Sequence, residues 1–137
     1  MDSYKFLPLL GRILIGAPFV MSGMSKLAAY TATVGSIGAV GLPLPPLAFV
    51  IAVLIEFGGG LLLLFGYRVR FASLVMAVFC IATAIFFHRN LADQNQMIHF
   101  LKNVMMAGGL LQITSFGAGA YSLDGRMALR LRSLKAS

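Results

Sequence analysis

The sequence predicts an all-α integral membrane protein: an antiparallel bundle of four transmembrane helices, with a short interfacial helix between the first two. Three observations carry that expectation. Of the 137 residues, 59% are hydrophobic and only 11% charged, whereas a soluble domain carries about 25% charged residues. The mean hydropathy of +0.90 leaves too little polar surface to cover a core in water, so the bilayer must act as solvent. The apolar residues also fall into four runs, about 6–27, 47–65, 71–87 and 100–116. Each is close to the roughly 20 residues that cross about 30 Å of hydrocarbon at 1.5 Å per residue. One domain over residues 1–137 is the expected organisation.

The first run is too long for the apolar stretch of a signal peptide and is interrupted by Arg12, so it reads as a span. After it comes an uncharged stretch, residues 28–46, in which Val34, Ile37 and Val40 recur every third position before Gly41-Leu-Pro-Leu-Pro-Pro46. That pattern suits a short helix at the membrane surface, closed by a stiff proline turn that launches the second span. The second and third runs are joined by Gly66-Tyr-Arg-Val-Arg70, room for only a tight hairpin. The third connection, residues 88–99, carries Arg89, Asp93 and several amides. Beyond the fourth run, the tail holds Arg126, Arg130, Arg132 and Lys135.

With both termini cytoplasmic, Lys5, Arg12, Arg68, Arg70 and the four tail cations fall on the inner half, and Lys26, Arg89 and Lys102 on the outer. The positive-inside rule therefore gives an N-in, C-in, multi-pass protein of a bacterial cytoplasmic membrane. The same placement disposes of nucleic acid as a partner: the net charge of +7 sits between spans and in the tail rather than on one soluble face. The lipid bilayer is the partner expected. Glycines at 16, 23, 58–60 and 108–109 allow close helix approach, which drives association where burial from water cannot. A lone cysteine, Cys80, excludes an internal disulfide and a CxxC relay. No P-loop, nucleophile elbow, GxGxxG or zinc signature is present.

The ionisable residues inside the runs are the informative ones. Arg12, Gly16, Phe19, Gly23 and Lys26 share one helix face at spacings of four, three, four and three. Glu56 stands at mid-span, where a carboxylate costs about 3 kcal/mol and needs a partner or a proton. His99, Lys102, Asn103 and Met106 share a face on the fourth run. Counting residues puts Glu56 about 13 Å below the outer surface and Arg12 about 9 Å above the inner one, so Arg12 is expected to reach Glu56. Lys26 and Lys102 start at similar depth and, with Asn103, are expected to form the cationic mouth of a cavity above Glu56. The structural alternative is an ion pair acting as glue, with lysines that snorkel to the headgroups.

His88 and His99 flank the outer connection and, with Asp93, contain metal- or haem-ligating residue types. Their spacing matches no compact ligand motif, so neither a metal nor haem is expected and interfacial histidines are the reading adopted. Met21, Met24, Met105 and Met106 read as flexible packing residues rather than copper ligands.

The ordered set Arg12, Gly16, Phe19, Gly23, Lys26, then Gly41-Leu-Pro-Leu-Pro, Glu56, Gly66, Phe100-Leu-Lys-Asn-Val with Gly108, and Ser122-Leu-Asp124 resembles DoxX-like bacterial inner-membrane proteins over nearly the whole chain. The resemblance implies a four-helix inner-membrane protein, with relatives that include the membrane subunit of thiosulfate:quinone oxidoreductase and proteins linked to thiol or oxidative-stress defence. It carries over Arg12, Lys26, Glu56, Lys102 and Asn103 as candidate site residues, with His88 and His99 less secure. The expected function is a redox-linked membrane component, with the membrane subunit of an oxidoreductase as its enzymatic form. Its polar pocket would bind a quinone or small anion, with Glu56 relaying a proton. A soluble or membrane oxidoreductase, or a second copy, would be its partner. The alternatives are a small-solute transporter and a non-catalytic anchor or assembly subunit.

Overall fold

Pro8 sits in the first turn of α1 (Leu7–Ala28), where its missing N–H removes no helical hydrogen bond, and Lys26 sits in the last turn, where a cation suits the helix dipole. The computed structural model describes residues 4–136; of the expected single domain, residues 1–3 and 137 lie outside them. Every regular element among the described residues is helical. After Ala29 the chain enters α2 (Tyr30–Ala39), present where a short helix was expected. Gly41 at φ +84° and Leu44 at φ 49° then turn it, and Pro45 and Pro46 open α3 (Pro45–Val53). A π-helical turn, Leu54–Gly58, joins α3 to α4 (Gly59–Phe65) without a break, so residues 45–65 form one span.

Gly66, at φ +70°, stops α4 with a doubly bonded reversal in which Gly66 N–H donates to Leu63 O at 3.2 Å and Tyr67 N–H to Leu62 O at 3.0 Å. Only a residue without a Cβ takes that left-handed position cheaply. α5 (Val69–Phe87) follows, and then α6 (Gln94–Phe116), whose first N–H groups are capped by Asp93 through Asn95 N at 2.9 Å and Gln96 N at 3.2 Å. α7 (Leu123–Ala136) ends the described chain.

Three stretches are long and apolar enough to cross a membrane: α1, the continuous α3–α4 rod and α5. The expected fourth run lies within α6, which has the length at 23 residues but begins with Gln94, Asn95, Gln96, His99, Lys102 and Asn103. That polar start dilutes its apolar character. α6 packs along α5 more extensively than any other pair of helices pack together, and α1 packs on α4 and the π turn.

Both pairings are antiparallel. On one side Gly16 faces Gly60 and Gly23 faces Phe57. On the other, Ser73 Oγ meets Thr114 Oγ1 at 2.8 Å and Thr83 meets Asn103. At the first crossing the backbones touch: a Cβ on Gly60 would lie 2.8 Å from Gly16 O, and one on Gly23 would lie 2.9 Å from Phe57 N. Gly58 and Gly108, expected to serve the same purpose, face open space. The buried centre includes Phe19, Leu63, Met76, Cys80, Ala107 and Leu110. Large apolar side chains such as Leu14, Met21, Phe71 and Val78 point outward, as lipid contact allows and water would not.

Candidate functional site

The π turn that joins α3 to α4 contains Glu56. Such turns insert a residue into the helical ladder and recur at functional sites. Here the carboxylate points towards α1, and the Glu56 side chain is only 8% exposed. Lys26 meets it from the last turn of α1: its Nζ donates to Oε1 at 3.0 Å and lies 2.9 Å from Oε2. Ser22, one turn before Lys26, donates to the same Oε1 at 3.2 Å and accepts from Lys26 Nζ at 3.2 Å. The ammonium is close enough to Oε2 to pair charges but is not in line for a second hydrogen bond. Oε2 is therefore buried without a donor.

Arg12 is not the partner of Glu56. The register set at Gly16–Gly60 places Arg12 beside the end of α4, one end of the bundle away from the π turn. There it is 1% exposed and donates to Leu63 O at 2.8 Å, to Leu64 O at 3.4 Å and to Tyr121 O. These include the carbonyls that a helix C-terminus leaves unsatisfied. Counting depth from the span ends left a gap that an arginine was long enough to close, but nearer acceptors took the guanidinium.

Above Glu56 opens a cavity of about 680 Å³. Its polar lining includes Ser22, Lys26 and Glu56 on one side and Thr83, His88 and Asn103 on the other, with Phe19, Ile37, Phe79 and Phe86 among its apolar walls. Of the four residues expected around such a cavity, Lys26, Glu56 and Asn103 line it. Lys102 does not; it is exposed on α6. Adjacent residues on a helix point about 100° apart, so Asn103 facing inward turns Lys102 away.

Asn103 donates to His99 O at 2.9 Å, and the Thr83 hydroxyl lies 2.9 Å from Cys80 O and 3.2 Å from Asn103 Oδ1, its single proton serving one acceptor at a time. Cys80 is a free, buried thiol in the cavity wall. His88 lies on the cavity side of the connection and stacks on His99, with ring centroids 5.1 Å apart and planes inclined by 28°. Burial, and secondarily His99, hold the His88 imidazole below its ordinary value of 6.5. Among the described residues, no group of three or more His, Cys, Asp or Glu converges. Met21, Met24 and Met105 are exposed and do not line the cavity.

Sequence reasoning missed Ser22, Thr83 and the part played by α2. Thr33, Ser36 and Ile37 of α2 complete the cavity wall. The helix is held there by Tyr30 packed edge-on against Phe49 at 4.8 Å and by Arg89 donating to Val40 O at 3.4 Å. Ser22 was legible as the residue four before Lys26 on the same face. The hydroxyls of α2 had a weaker signal, a Ser/Thr-containing stretch without charge.

A family model described as DoxX matches residues 7–89, from α1 to just past α5. The chain is similar to inner membrane protein YqjF of Escherichia coli strain K12, at 40% identity over 116 residues, covering 85% of this chain and 88% of that protein. It is also similar to inner membrane protein YphA of the same organism, at 33% identity over 123 residues, covering 86% and 88%. No solved structure gives a significant match.

Proposed function

The chain belongs to the DoxX family of membrane proteins, and from that premise we propose that it is a redox-linked component of the inner membrane whose cavity holds a quinone-like molecule. The observation that carries this reading is the cavity itself. At about 680 Å³ it falls within the ~300–1,000 Å³ of small-molecule sites, and its mainly apolar wall is broken by a few fixed polar groups. A ring with two carbonyls and an apolar tail matches that lining. Lys26 would donate to one carbonyl, Asn103 would orient the other, and Oε2 of Glu56 would carry the proton passed to a ring oxygen as two electrons arrive from the partner. A quinone held there supplies two-electron chemistry coupled to proton uptake.

A free anion, the other ligand class suggested by the sequence, has less support. Lys26 is neutralised by Glu56, and Lys102, the second cation of the expected mouth, faces away from the cavity. Arg12 takes a structural role, tying α1 to α4 and to the segment before α7. Electrons must come from an oxidoreductase partner, because the lone thiol is buried in the wall and has no second cysteine to pair with. In this reading α6 is the fourth span, and both termini are cytoplasmic. The test is mass spectrometry of small molecules released from the full-length protein purified in native lipid particles. A quinone retained by the wild type and depleted in Lys26→Met supports the proposal. A soluble oxidoreductase that co-purifies with ligand-free wild type favours the anchor subunit instead.

A further inference from the structure

Among the described residues, no helix packs extensively on the last one beyond its root. From Arg126 to Ala136 every residue of α7 is exposed. Its root, in contrast, is fixed to the end of two spans. Asp124 N–H donates to Gly66 O at 2.9 Å, and the Asp124 carboxylate accepts from Arg68 N at 2.9 Å and Val69 N at 3.0 Å. Ser122 caps the helix by accepting from Gly125 N at 2.9 Å. α7 thus starts at the α4–α5 reversal, beside the ends of two stretches long and apolar enough to cross a membrane.

Its large apolar residues, Leu129 apart, gather on one side. Leu123, Met127, Leu131 and Leu134 recur at spacings of four, four and three, confining them to a stripe about 80° wide at 100° per residue. Arg126 and Arg130 border the stripe on one side and Lys135 on the other, with Arg132 behind. Arg68 stands at the root. The one acid in the helix, Asp124, already has its carboxylate engaged by two backbone N–H groups. A second copy laid on this stripe would bring like charges together at its borders. A surface of apolar chains beneath anionic headgroups satisfies the stripe and its borders at once.

We propose that α7 is a lipid-docking helix that lies on the membrane surface at this end of the bundle, its apolar stripe in the acyl boundary and its cations on anionic phospholipid headgroups. The inference does not depend on the cavity or its ligand.

The test uses the full chain with Cys80→Ala, reconstituted in lipid nanodiscs and spin-labelled at Leu131→Cys on the stripe or at Leu129→Cys on the opposite face. In discs containing phosphatidylglycerol, the label at 131 should be reached by oxygen and shielded from a water-soluble nickel complex, while the label at 129 stays open to nickel. Replacing Arg126 and Arg130 by Gln should lower the docked-to-undocked ratio about fivefold per cation, and high salt should act in the same direction. Equal nickel access at 131 and 129 in anionic discs would overturn the proposal. So would equal shielding in purely zwitterionic discs, or dipolar broadening that shows a second copy covering the stripe.

Discussion

Lys26 and Glu56, thirty residues apart in sequence, form an ion pair across the junction of α1 and the π turn, with the lysine side chain 29% exposed and the glutamate side chain 8%. The inequality decides how the pair responds to substitution. Lys26→Met strands a buried carboxylate, whereas Glu56→Gln leaves an ammonium with a partly open route to the headgroups. Lys26→Met should therefore cost more, about 3 kcal/mol, and the double change less than the sum of the singles. Unfolding in detergent checks the order, and strict additivity would mean that the pair is not coupled.

Arg12 should behave as an independent unit. Arg12→Met removes the donor to Leu64 O and Tyr121 O and leaves Leu63 O with only its bond from Gly66 N–H, and should destabilise by about 2–4 kcal/mol. Arg12→Lys should rescue little, because an ammonium cannot spread its donors as a planar guanidinium does. Combining Arg12→Met with Glu56→Gln should give additive losses, the opposite of the Lys26 result.

The glycines divide by environment. Gly60→Ala places a Cβ 2.7 Å from Val20 Cγ2 and 2.8 Å from Gly16 O, so one of two packed backbones must move. The expected loss is about 1–3 kcal/mol. Gly108→Ala meets nothing within 4 Å and should gain up to about 1 kcal/mol of helix propensity. Thermal midpoints of the two variants should fall on opposite sides of the wild type.

His88 gives the protein a pH dependence of known sign. Burial first, and His99 second, hold its pKa below 6.5, so the folded state disfavours the imidazolium relative to the unfolded chain. The stability associated with neutral His88 is intact above pH 6.5 and is lost as pH falls through the lowered value. His88→Gln should flatten the fall in thermal midpoint on the acid side of 6.5. An unchanged profile would assign the slope to other groups.

Much of this arrangement was legible in the chain because polar atoms in lipid are conspicuous. Glu56 and Lys26 were marked by their cost, the reversal at Gly66 by its shortness, and the start of α3 by Pro45 and Pro46. The pairing was not legible. It depends on the register of α1 against the α3–α4 rod, which Gly16, Gly60 and Gly23 set through backbone contact, and nothing local encodes that register. The π turn was equally hidden, since Leu54–Gly58 reads as ordinary helix. At 102 and 103 the helix period put both side chains on one broad face, and only tertiary packing decided that Asn103 turns in and Lys102 out.

Those two neighbours provide the most direct test of the cavity as a quinone-type site. A water-soluble short-chain quinone is titrated into the full-length protein and into well-folded Asn103→Leu and Lys102→Met variants, with binding followed calorimetrically. Loss of the hydrogen bonds from Asn103 should weaken binding about tenfold, and Lys102→Met should bind as the wild type does. Equal affinity in the wild type and Asn103→Leu, or a loss confined to Lys102→Met, would contradict the assignment of this cavity as the ligand site.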